Sequence, residues 1–161
     1  MLAPFQIIVS KIRFEVTQHN TEDKEKIVNG FKHLLPESYN KILNLKSDEL
    51  VGYHKNKILR HYFEISNKSQ ALEVASFILK NISDSMPKES IKKRLASNSE
   101  LSIRMNKQVL INSSIFVLDN SSDIYKIKIK FVLHGKPVNK EELIISYITE
   151  LISSHKNIGQ E

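Results

Sequence analysis

Six histidines, His19, His33, His54, His61, His134 and His155, offer imidazoles for metal binding or proton transfer. No two of them stand at the i, i+4 interval that places a ligand pair on one helix face. They read as surface or half-buried side chains, because a titration range near neutrality selects no reaction by itself. The paired carboxylates Glu22/Asp23 and Glu141/Glu142 fall at expected helix starts, where the helix dipole favours negative charge. Adjacent helical residues diverge by about 100 degrees, so neither pair converges on one substrate atom. Serines are frequent but none sits in a Gly-x-Ser-x-Gly elbow. The absence of cysteine removes thiol nucleophiles, zinc ribbons and disulfide frameworks. Four glycines (Gly30, Gly52, Gly135, Gly159) cannot build a Gly-rich phosphate loop or a dinucleotide fingerprint. The expectation is a protein with no catalytic residue, no metal and no cofactor.

Positive charge is the signal that remains. Lys and Arg number 24 against 18 acidic residues, a net +6, and such a balance attracts polyanions. Between Ile124 and Lys140 there are five lysines and no acid. Three of them, Lys126, Lys128 and Lys130, alternate with Tyr125, Ile127, Ile129 and Phe131, so on a strand they share one face at roughly 6.7 Å intervals, close to backbone phosphate spacing. The same row would also suit a solvated outer face that discourages edge-to-edge aggregation. A second cluster comprises Lys88, Lys92, Lys93, Arg94, Arg104 and Lys107 against Glu89 and Glu100. A third group, Tyr53, His54, Lys55 and Lys57, joins an aromatic ring to cations in a loop, a combination suited to stacking on an unpaired base.

Local patterning predicts the elements that must position these groups. Gln6 to Gln18 reads as a strand with Ile12, Phe14 and Val16 on one face. Asn20 or Thr21 can cap a helix whose inward stripe is Ile27, Phe31, Leu34 and Leu35, and Pro36 stops it. Lys41 to Val51 and Ile58 to Ser66 read as a strand hairpin around a polar loop. A helix capped by Ser69 buries Ala71, Val74, Ala75, Ile78 and Ile82, and Pro87 suits the first position of a short basic helix from Lys88 to Ala96. Leu101 to Met105, Ser114 to Leu118 and Tyr125 to Phe131 read as strands. Asp119 to Asp123 reads as a turn, and Asn106 to Asn112 stays open. A last helix spans Lys140 to Ser153, with Ser154 to Glu161 expected to fray. The 161 residues, 40% apolar, suffice for one core, so residues 1–153 are expected to form a single α+β domain. Its antiparallel sheet should carry helices mainly on one face. No signal-peptide pattern and no apolar run of about 20 residues occurs, so a soluble protein with no membrane contact is expected.

The segments Ile12 to Ile27, Gly52 to Ile58 and Ile103 to Gln108 carry a resemblance to an archaeal RNA-binding family described as predicted exosome subunits. In that family a strand leads into Thr-Glu-Asp at a helix start, matched by Thr21-Glu22-Asp23, and a late Leu-Asp-Lys-Gln-Ala-like element is matched by Lys107-Gln108. The chain departs from the pattern at Lys55, where glycine is usual, and at Val109, where alanine is usual. The resemblance implies a double-stranded-RNA-binding-like fold, similar to the ribosomal protein that cradles 5S RNA, and RNA binding in an archaeal cytoplasm. Structured or double-stranded RNA is then the expected partner, with exosome or ribosomal proteins beside it. A subunit whose basic face meets an acidic protein in such a particle is the alternative.

Overall fold

A computed structural model describes residues 6–42, 44–51 and 56–158. Its elements run β1 (Gln6–Gln18), α1 (Lys24–His33), a 3-10 helix (Glu37–Ile42), β2 (Lys46–Val51), β3 (Lys57–Ile65), α2 (Lys68–Asn81), a short 3-10 turn (Ser83–Ser85), α3 (Lys88–Arg94), β4 (Glu100–Asn106), α4 (Lys107–Ser113), β5 (Ile124–His134) and α5 (Lys140–Ile158). The strands form one five-stranded antiparallel sheet in the order β2-β3-β1-β5-β4, and the fold class is α+β as expected. In the β2/β3 hairpin Lys46 stands opposite Tyr62, Ser47 opposite His61 and Val51 opposite Lys57.

The chain divides into two compact units. The first comprises the described parts of 1–12, 65–102 and 128–161, and the second 13–64 and 103–127. In the second, Phe14 of β1 stacks on Phe63 of β3 at 4.6 Å between ring centroids, and Phe31 of α1 meets both Phe63 and Tyr125 edge-on at 5.3 and 5.1 Å. The Tyr125 hydroxyl donates to the Ile27 carbonyl at 2.6 Å, satisfying a phenol that burial would otherwise leave stranded. Burial, helped by the carboxylates of Glu22 and Asp123, holds that phenol well above the usual range for ionisation. In the first unit α2 contributes Ala71, Val74, Ala75, Ile78 and Leu79, and α5 contributes Ile144, Ile145, Ile148 and Ile152. Phe131 meets Tyr147 of α5 edge-on at 6.1 Å.

Several boundaries differ from the sequence expectation. Lys41 is not the start of a strand: Pro36 opens a 3-10 helix, with the Tyr39 amide bonded to the Pro36 carbonyl at 2.9 Å, and β2 starts only at Lys46. The caps are Asp23, which accepts from the Glu25 amide, and Asn67, which accepts from the Gln70 amide, both at 3.0 Å. Pro87 is itself the N-cap of α3 rather than its first helical residue. The open stretch 106–112 is mostly α4, capped by Asn106 accepting from the Val109 amide. Ser114, in the left-handed region at φ 61°, closes that helix, and Ser114 to Leu118 is reduced to a single bridge between Leu118 and Met105. Helix α5 continues to Ile158, past the expected end at Ser153, since neither Gly nor Pro interrupts it before Gly159.

Candidate functional site

Strand β4 alternates inward Leu101, Ile103 and Met105 with half-exposed residues, and the next inward position is Lys107. This lysine is 1% exposed. Its ammonium donates to the Thr17 carbonyl at 2.8 Å, to Glu22 at 3.0 and 3.2 Å, and to Asp123 at 2.5 Å. A buried charge is tolerated when every donor is met by an acceptor, and here a carbonyl and two carboxylates meet it. Lys107 is therefore corrected from an RNA contact to an internal tie between the end of β1, the turn before α1 and the start of β5. The carboxylate of Glu22 is itself fixed, accepting from the His19 amide at 2.9 Å, and His19 Nε2 lies 3.4 Å from Asp123. Ligand atoms of His19, Glu22 and Asp123 all lie within 4.8 Å of one another, but the ammonium already bridges the two carboxylates and supplies the positive charge there.

A polar hollow of about 280 Å3 opens beside this tie, lined among others by Thr21, Glu22, Asp23, Lys26 and Gln108. The two stretches that carried the family resemblance, Thr21-Glu22-Asp23 and Lys107-Gln108, thus meet at one place.

A second buried polar chain runs through β3. His61, 1% exposed, shares the inward phase of Phe63 and Ile65. Gln18 donates its amide to the Glu22 carbonyl at 3.0 Å, which turns its carbonyl oxygen to His61 Nε2 at 2.7 Å. An acceptor there requires Nε2–H, so Nδ1 accepts from the Ser47 hydroxyl at 2.6 Å. Burial, with Lys24 adding repulsion, lowers the His61 pKa and keeps the ring neutral.

The remaining expected cations separate into engaged and free. Arg104 donates to the Ser121 carbonyl at 2.5 Å, and Arg94 donates to Ser90 at 3.2 Å. Lys57 sits 3.1 Å from Glu49, and Lys128 3.8 Å from Glu100. Lys130 donates to the Asn98 carbonyl. Lys126 is half-buried in the second unit, with no ion pair among the described residues. Lys92 and Lys93 are exposed on α3, also without an ion pair among the described residues. Tyr53, His54 and Lys55 lie outside the described residues. Sequence reading missed the partners of Lys107 and the His61 chain. The signal for both was the period-two phase of β4 and β3, which carries a lysine and a histidine inward.

These features define an α+β protein in which Lys107 and His61 are tied into buried polar clusters, while Lys92 and Lys93 stand exposed outside them. A family model described as RNA binding matches residues 11–131, and the chain belongs to that family. Among solved structures it is similar to Mth689, a DUF54 protein from Methanothermobacter thermautotrophicus, at 18% identity and a TM-score of 0.70 over 90% of this chain and 98% of that one. It is also similar to SSO0741 from Sulfolobus solfataricus, at 24% identity and a TM-score of 0.62 over 87% and 98%, and to a UPF0201 protein from Methanococcus jannaschii, at 11% and 0.52 over 88% and 98%. At these identities the likeness is one of fold. No curated protein matches the chain. Among the described residues no helix is long and apolar enough to cross a membrane.

Proposed function

We propose that this protein is a non-catalytic RNA-binding protein that grips the backbone of structured RNA with lysines. The observation that carries the reading is the RNA-binding family match over residues 11–131. It is supported by Lys92 and Lys93, whose ammonium groups stand exposed and unpaired among the described residues. Arg94 and the β5 lysines 126, 128 and 130 extend the basic set. Lys128 and Lys130 have partners of their own and contribute less. Phosphate contacts of this kind release counterions, so affinity falls with salt in proportion to the contacts made.

The test is a salt titration of binding to a hairpin RNA, comparing the parent with K92Q/K93Q and with K126Q/K128Q/K130Q. Each lost contact flattens the log-log slope by roughly 0.7 to 0.9, so K92Q/K93Q should lose about 1.5. The β5 variant should lose less than three full contacts would. Slopes unchanged in both variants would make these lysines ordinary solvated side chains and sink the reading. Membership of an exosome or ribosomal particle in an archaeal cytoplasm belongs to the same proposal and rests on the family resemblance. Partner proteins that stay bound after ribonuclease treatment would support a protein-bound particle subunit, and partners released by it would leave RNA as the only link.

A further inference from the structure

Immediately after α3 the chain makes a tight turn, with the Ser99 amide bonded to the Ala96 carbonyl at 3.0 Å and the Ala96 amide to the Glu100 carbonyl at 3.0 Å. Lys130 donates to the Asn98 carbonyl, and the Phe131 amide bonds to the Ser99 carbonyl at 2.9 Å, so β5 holds the turn from the other side. Between this turn and the first residues of α5 lies a cavity of about 310 Å3, lined by Leu95, Ala96, Ser97, Ser99, Lys140, Glu141 and Ile144.

Ser99 is the unusual residue. It is 4% exposed and lies at φ 66°, in the left-handed region where glycine would be easier. Its hydroxyl has no hydrogen bond among the described residues, and it lines the cavity. A left-handed backbone costs stability in a residue other than glycine, and the hydroxyl is open to the cavity rather than sealed in the core. A ligand in the cavity can accept a hydrogen bond from that hydroxyl.

The lining determines what the ligand is. Leu95, Ala96 and Ile144 offer apolar surface for a flat ring. Glu141 and Glu142 in the first turn of α5 oppose a phosphate at that helix end, although free amides there would otherwise attract one. A carboxylate at the cavity instead calls for adjacent N–H donors. Guanine presents two, N1–H and the N2 amino group, spaced for the two oxygens of one carboxylate, and it has acceptors at O6 and N7. Adenine, cytosine and uracil do not present such a pair beside an acceptor. We infer that this cavity takes an unpaired guanine of the bound RNA, with Glu141 accepting from N1–H and N2–H and the Ser99 hydroxyl donating to an acceptor edge. The inference rests on the RNA-binding reading and adds a base preference to it.

Two hairpin RNAs with the same stem, one with an all-uridine loop and one with a single loop uridine replaced by guanosine, separate the two claims. The guanosine hairpin should bind the parent about tenfold more tightly. E141Q, at an exposed position, and S99G, which relieves the left-handed backbone while removing the hydroxyl, should each bring the two hairpins together by weakening only the guanosine one. Inosine, which lacks the N2 amino group, should lose part of the advantage. Equal affinity of the parent for both hairpins, or a guanosine preference that survives E141Q and S99G, would overturn the inference and leave the RNA-binding reading standing. Failure to bind either hairpin would overturn the reading itself and the inference with it.

Discussion

A Cβ placed on Gly30 would lie 2.0 Å from the Tyr125 hydroxyl and 2.4 Å from its ring carbon, so α1 can rest on β5 only because that helix position has no side chain. Gly30→Ala should cost about 3 kcal/mol through overpacking, read as a lower urea midpoint at unchanged slope. A loss below about 1 kcal/mol would mean that the tyrosine moves aside. Lys107 makes the opposite kind of demand. Lys107→Met keeps the volume but leaves Glu22 and Asp123 facing each other, and the expected loss is about 2–3 kcal/mol. That is less than breaking a fully buried pair costs, because Asp123 is nearly half exposed. His61 sets a pH dependence. Its folded pKa is lowered, so the unfolded chain binds the proton more readily. The stability it contributes is complete above its ordinary pKa of 6.5 and declines as pH falls below that value. Denaturation midpoints at pH 7.5 and 5.5 should differ more in the parent than in His61→Gln, and equal differences would remove His61 as the cause.

At the scale of elements, caps decide where helices begin. Asp23 and Asn67 each satisfy one amide of the first turn, so D23A and N67A should each lower stability by about 1 kcal/mol. T21A and S69A, which remove the caps that patterning alone suggests, should cost a few tenths at most. The contrast shows what was legible. Helix identity followed from the stripe of Ile27, Phe31 and Leu34 and from Ala71, Val74 and Ile78, because burial at 3.6-residue spacing is written into the chain. Choosing among Asn20, Thr21 and Asp23 requires knowing where β1 lets go, and that is fixed by the His19 to Glu22 turn. Helix α4 escaped notice because one of its two buried residues is a lysine. The cation clusters were legible as charge. Which lysines are free depends on Glu49, Glu100 and the Asn98 carbonyl, partners supplied by other elements. The cavity beside Ser99 left no sequence mark, since it is made by a backbone turn.

For the molecule as a whole, the arginines limit what kind of RNA recognition is available. There are four. Arg13 lies 3.2 Å from Glu64 and 4.5 Å over the Tyr62 ring. Arg60 lies 2.6 Å from Asp48, a hydrogen bond that raises its pKa further, and its guanidinium flanks the same Tyr62 ring. Arg104 is held by Ser121 and Arg94 by Ser90. Bidentate reading of paired bases depends chiefly on free guanidinium forks, and all four are engaged within the protein. The exposed cations are lysines, point charges that meet phosphates without distinguishing base pairs. Duplex RNA should therefore be recognised by shape and charge. Hairpins with unrelated stem sequences but identical loops should bind with affinities within about twofold of one another. Lengthening the stem should raise affinity only until the exposed lysines are covered. A tenfold dependence on stem sequence would require an arginine to leave its partner on binding, and Arg94, with a single neutral partner, is the one to replace with lysine first: that change should then abolish the dependence while leaving the salt slope intact.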